Sequence, residues 1–148
     1  MLKTKTYMKR FLLFIIPLAI LSIAFKTDKP SYQIFKKDGK TIKYQKMINA
    51  LEQADIVMFG ELHNNPICHW LQLEVTKDLF EVKGENLVLG AEMFESDNQI
   101  IIDEYFANFF AEKKFEADAR LWPNYKTDYK PLLEFAKTNH IDFIATNV

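Results

Sequence analysis

A single cysteine, Cys68, stands among 148 residues, so no internal disulfide can form and stability must come from a packed core. Glycine (4) and proline (5) are scarce, which argues against long disordered linkers. The chain carries no GxGxxG dinucleotide fingerprint, no GxxxxGK phosphate loop and no GxSxG nucleophile elbow. Cys68 and His69 are sequence neighbours in a stretch that reads as helix, and such neighbours do not face each other, so a Cys–His nucleophile pair is excluded there. The apolar run Phe11–Phe25 falls short of the roughly 20 residues of a membrane span.

That run has another reading. Met1–Arg10 holds Lys3, Lys5, Lys9 and Arg10 without an acid, and Ser22-Ile23-Ala24 puts small residues after the apolar stretch. This is the order of a secretory signal peptide over residues 1–24, with an uncleaved signal anchor as the alternative and membrane contact only through that segment. No cysteine sits at the junction, so a lipid anchor attached there is not supported. Cleavage would remove four basic residues and take the formal net charge from −1 to −5. A mildly acidic domain is poorly suited to nucleic acid, whose phosphates attract Lys and Arg.

What remains is globular in composition: 49% hydrophobic, 26% charged and 13 phenylalanines, enough for one domain with a real core. Residues 25–44 read as a linker ending in a small hairpin, Ser31–Phe35 with Thr41–Tyr44, about an Asp38-Gly39 turn. Residues 45–148 read as an α/β domain. Ile56–Phe59, Asn86–Glu92 and Ile141–Ala145 are short apolar runs expected to be buried strands. Between them lie helical spacings. Asn65-Pro66 starts one helix and Lys83-Gly84 ends it. Ser96 or Asp97 caps the next, Glu112–Arg120 is a charged stretch that reads as a solvated helical turn or loop, and Thr127 or Asp128 caps a last helix that stops at Asn139 or His140. Strands alternating with helices imply an open parallel sheet with crossover helices in three layers. The chain ends directly after the third strand, which points to the front part of a longer protein.

In such a sheet, ligands bind beyond the carboxyl ends of the strands. Glu61 and His63 follow the first run; two residues apart on extended chain, they share one side. A carboxylate beside an imidazole suits ligation, acid–base work or orientation of the ring, and an exposed loop pair is the plain alternative. His69 lies near the start of the next helix. Glu92 follows the second run, where an acid among apolar residues needs a partner or a cation, or else caps the following helix. Gln99 and Asn147 could reach the same crevice or face solvent. Trp122, Tyr125 and Tyr129 offer flat faces and phenols, and a phenolate can bind ferric iron; packing of a loop onto the core is the alternative.

Taken together, these segments resemble a known family. Gly60-Glu61-Leu62-His63-Asn64-Asn65-Pro66 with His69 and Gln72, then Gly90-Ala91-Glu92-Met93-Phe94 with Gln99, resemble the ChaN-type haem-binding proteins. So do Trp122, Tyr129-Lys130-Pro131-Leu132-Leu133, Phe135-Ala136 and Ala145-Thr146-Asn147. These belong to the wider haem-uptake/Tiki superfamily with its erythromycin-esterase-like enzymes. The resemblance implies an exported, periplasmic or cell-envelope protein of haem or iron acquisition that binds without turnover and can pair as a homodimer. It implies a ligand pocket drawn from Glu61, His63, His69, Glu92, Met93, Gln99, Asn147, Tyr125 and Tyr129. It implies haem ligated through a tyrosine, with Tyr125 and Tyr129 as candidates, and does not place that tyrosine. The alternative it carries is a hydrolase dependent on a divalent metal, with Glu61, His63 and Glu92 as its catalytic set and His63 and Glu92 as metal ligands. Two departures stand out: the missing lipid-acceptor cysteine, and an end before the family's further motifs.

Overall fold

The structure is a computed structural model and describes residues 30–148; the signal segment expected over 1–24 lies outside the described residues. A short hairpin comes first. β1 (Ile34–Phe35) pairs antiparallel with β2 (Thr41–Ile42), and Gly39 takes the positive φ of 79° that its turn demands. α1 (Tyr44–Leu51) turns Ile48 inward. α2 (Pro66–Lys83) starts as its sequence requires: the Asn65 side chain accepts from the backbone N–H groups of Ile67 and Cys68 at 3.0 and 3.1 Å, and Pro66 needs no partner for the N–H it lacks. Gly84, at φ 54°, ends it.

The sheet that organises the remainder pairs β3 (Val88–Glu95) with β4 (Asp142–Asn147) in parallel, Val88 opposite Asp142 and Ala91 opposite Ala145, with a register shift before Glu95 meets Asn147. Parallel neighbours need a long crossover. Here it consists of a 3₁₀ turn at Ser96–Asn98, α3 (Gln99–Phe106), α4 (Glu112–Asp118), a π-helical turn at Tyr125–Tyr129 and α5 (Lys130–Thr138). The crossover covers one face of the pair, where Ala91, Met93, Phe143 and Ala145 join Phe94, Ile102, Phe115 and Leu133 in the main core. On the opposite face Val88 and Ile144 are 55% and 43% exposed. A smaller cluster, Ile48 with Val75 and Leu79, joins α1 to α2.

The α/β class and the parallel sheet are as the sequence predicts. The sheet has two strands among the described residues, not three. Ile56–Phe59 forms no ladder. Its apolar alternation survives, since Val57 packs on the α1–α2 cluster while Ile56 and Met58 face outward, 79% and 89% exposed. An extended run becomes a strand only when a neighbour's edge lies within hydrogen-bonding reach, and here a cavity separates it from β3. In the crossover, Glu112–Asp118 takes the helical one of its two alternatives, with Phe115 fully buried beneath its charged face. One smaller difference lies beside it. The cap expected at Thr127 or Asp128 is replaced by the π turn, which drives Tyr125 and Tyr129 inward together.

Candidate functional site

The loop between the Ile56–Phe59 run and α2 carries the most connected carboxylate among the described residues, Glu61. Its Oε1 accepts from the Tyr129 hydroxyl at 2.8 Å and lies 2.9 Å from His63 Nδ1. Its Oε2 accepts from Gln72 Nε2 at 3.2 Å and faces His69 Nδ1 at 3.6 Å, beyond hydrogen-bonding reach. Burial pushes the Glu61 carboxyl up, but the hydrogen bonds from His63 and Tyr129, the attraction of the His69 ring and the Gln72 amide together hold it below the ordinary carboxylate range. The same contact works oppositely on Tyr129: burial first, then the bond to the Glu61 anion, pushes its hydroxyl well above the usual phenol value.

The loop is clamped by its backbone as well. The His63 carbonyl accepts from His69 Nε2 at 3.0 Å and from Asn124 Nδ2 at 2.7 Å. Trp122 meets the His63 ring edge-on, centroids 5.1 Å apart, and meets Tyr129 likewise at 5.6 Å. α2 thus contributes His69 and Gln72, the π turn contributes Tyr129, and the stretch before it contributes Trp122 and Asn124.

Beside this network opens a cavity of ≈ 760 Å³. It runs along the edge of β3 and over the end of β4, walled by apolar side chains including Val57, Val75, Leu79, Leu89 and Leu132. Glu61, His63, Gln72, Glu92, Met93 and Asn147 line it too, so five of the sequence candidates reach one space. The other four do not line it. His69 is 4% exposed and supports the loop from below. Tyr129 is 1% exposed with its hydroxyl on Glu61. Tyr125 lies in the core against Phe94 and Phe115. Gln99 grips β4 instead: its Nε2 donates to the Phe143 carbonyl at 2.9 Å and its Oε1 accepts from the Ala145 N–H at 2.7 Å. Asn124 and Asp128 belong to the network and were not legible as site residues; Asn124 lies 61 positions from the carbonyl it holds, and nothing in its own spacing marks it.

No lysine or arginine lines the cavity, and Glu61 and Glu92 give it acidic character. Among the described residues no three His, Cys, Asp or Glu side chains are grouped to hold a metal ion, so Glu61, His63 and Glu92 share a wall without forming a cage. Among the described residues no helix is long and apolar enough to cross a membrane.

An α/β domain on a parallel sheet, with a ligand-sized cavity along one strand edge, is the class of protein described so far. The chain belongs to the haem-binding uptake, Tiki superfamily, ChaN family, whose model matches residues 47–148. Among solved structures it is similar to one showing cofacial heme binding to ChaN of Campylobacter jejuni, at 19% identity and a TM-score of 0.64. That match covers 83% of this chain and 51% of that one, so the chain spans about half the length of its solved relative. No curated protein matches the chain.

Proposed function

We propose that this chain binds haem in the cavity beside Glu61, as an exported protein of haem or iron acquisition. Membership of a haem-binding uptake family carries the reading. The cavity supports it on its own chemistry. Its volume lies within the range of about 300–1,000 Å³ common for small-molecule sites. The apolar wall suits the face of a porphyrin, and His63 and Met93 are donor types that haem iron accepts. With acids and no cations along the wall, the haem propionates are best placed toward solvent. Glu61, His63, Glu92, Met93 and Asn147 are the pocket residues of this reading, and a homodimer and an envelope location go with it.

Hemin titrated into the purified full-length protein tests the proposal. A saturable Soret band displaced from that of free hemin is the expected result. A spectrum identical to free hemin at every ratio overturns it.

A further inference from the structure

We propose that the β1–β2 hairpin and the start of α1 form a basic surface that docks on anionic lipid headgroups, a membrane contact separate from the one expected of the segment at 1–24. Residues 30–46 hold five lysines against one acid, while residues 47–148 hold eight basic residues against eighteen acids. Charge divided this sharply along a chain marks the basic part as a surface for an anionic partner. The inference goes beyond the haem reading and does not rest on it.

Local structure gathers these lysines. Lys36, Lys37 and Lys40 share the hairpin turn, which is closed by the Lys36 N–H on the Lys40 carbonyl at 2.8 Å and the Gly39 N–H on the Lys36 carbonyl at 2.9 Å. The one acid, Asp38, is occupied inside that turn: its Oδ1 accepts from the Lys40 N–H at 3.1 Å and its Oδ2 lies 3.3 Å from Lys40 Nζ. Lys43, which precedes α1, and Lys46, in its first turn, follow β2 directly. α1 packs Ile48, Met47 and Leu51 onto Val75 and Leu79, and all five lysines stay exposed. Among the described residues Lys36, Lys37, Lys43 and Lys46 have no carboxylate within ion-pairing reach, so four uncompensated charges face outward. Phe35, 56% exposed, stands beside Lys36.

Lipid fits these features better than nucleic acid or a second copy of the chain. An exposed aromatic ring next to lysines suits a headgroup layer, where the ring enters the acyl boundary and the ammonium groups meet phosphate. The patch begins eleven positions after the apolar run Phe11–Phe25, so the sequence sets it close behind a segment suited to enter a bilayer. An anionic surface also repels the acidic remainder of the chain, which makes the hairpin the end that attaches. Each lysine held near such a surface strengthens binding by about fivefold.

Vesicle binding by the full-length chain tests this. Phosphatidylcholine vesicles read the apolar segment alone, and phosphatidylglycerol vesicles add the headgroup charge. Lys36→Gln, Lys37→Gln, Lys40→Gln, Lys43→Gln and Lys46→Gln combined should weaken binding to the anionic vesicles at least about tenfold at low salt and leave binding to the neutral ones unchanged. The same five positions changed to arginine should keep wild-type affinity. The advantage of the wild type should vanish in about 1 M salt, where charges are screened beyond about 3 Å. None of the five lysines lines the cavity, so hemin titration of the glutamine variant should match the wild type, bound or unbound. Equal affinity of the wild type and the glutamine variant for the anionic vesicles overturns the proposal, as does loss of binding in the arginine variant. Self-association of the wild type without lipid, lost in the glutamine variant, would assign the patch to the acidic surface of a second copy and overturn the lipid assignment. Failure of the wild type to bind hemin would remove the haem reading and leave this one standing.

Discussion

Tyr129 and Glu61, 68 positions apart, meet in a hydrogen bond of 2.8 Å that ties the crossover to the loop before α2. The donor is 1% exposed and the acceptor is an anion. Bonds of this kind contribute about 1.5–3 kcal/mol when charge is involved. Tyr129→Phe removes the hydroxyl and leaves the ring against His69 and Trp122. Urea unfolding should show a loss in that range, and hydrogen exchange should show looser protection across the Glu61–Asn65 loop. Unchanged stability would mean that the bond is replaced by water at no cost.

The same pair sets the pH response at both ends of the scale. Glu61 has a folded pKa below its unfolded one, so its contribution is present above the unfolded carboxylate value of about 4.3 and is lost as pH falls through the depressed folded value. Tyr129 has a raised folded pKa, so its contribution is complete below the unfolded phenol value of about 10 and is lost as pH rises beyond it. Glu61→Gln should flatten the acid limb of a stability–pH curve, and Tyr129→Phe the alkaline limb. Parallel curves for wild type and both variants would contradict the linkage.

Much of this fold is legible from local chemistry. Asn65-Pro66 and Gly84 mark both ends of α2 because a cap and a left-handed stop need only near neighbours. β3 and β4 are legible from their apolar runs. Ile56–Phe59 misleads because its alternation records one buried side, supplied by Val57 on α1 and α2, and says nothing about whether an edge lies alongside. Glu61 and His63 could be picked out by spacing, and the structure puts them in hydrogen-bonding contact. Tyr129, Gln72 and Asn124 reach them across 68, 11 and 61 positions, distances that no periodicity encodes.

Asn65 has an effect beyond its own helix. Its side chain accepts two of the first N–H groups of α2, and the loop bearing Glu61 and His63 feeds into that cap. Asn65→Ala should cost about 1 kcal/mol of stability, and Asn65→Asp, which keeps an acceptor, much less. Thermal unfolding of the two variants measures the difference. Equal losses would show that the cap geometry, rather than the acceptor, governs this turn.

Gln99 offers the sharpest separation between site and scaffold. Its amide donates to the Phe143 carbonyl and accepts from the Ala145 N–H, reproducing on one side of β4 the pairing that a further strand would make. A strand edge left bare and half-buried loses both partners at once. Gln99→Leu keeps the bulk and removes both bonds, at about 1–3 kcal/mol for each backbone group that water cannot reach. Gln99→Glu retains an acceptor for Ala145 but sets a negative oxygen against the Phe143 carbonyl, so it should be the more damaging of the two at neutral pH and should recover on acidification. Amide exchange at Ala145 distinguishes them: fast in the leucine variant, still slowed in the glutamate variant. Because Gln99 does not line the cavity, hemin affinity of the folded leucine variant should stay within about threefold of wild type, as expected for a change outside the binding surface. A larger loss with the fold intact would place Gln99 in the binding machinery.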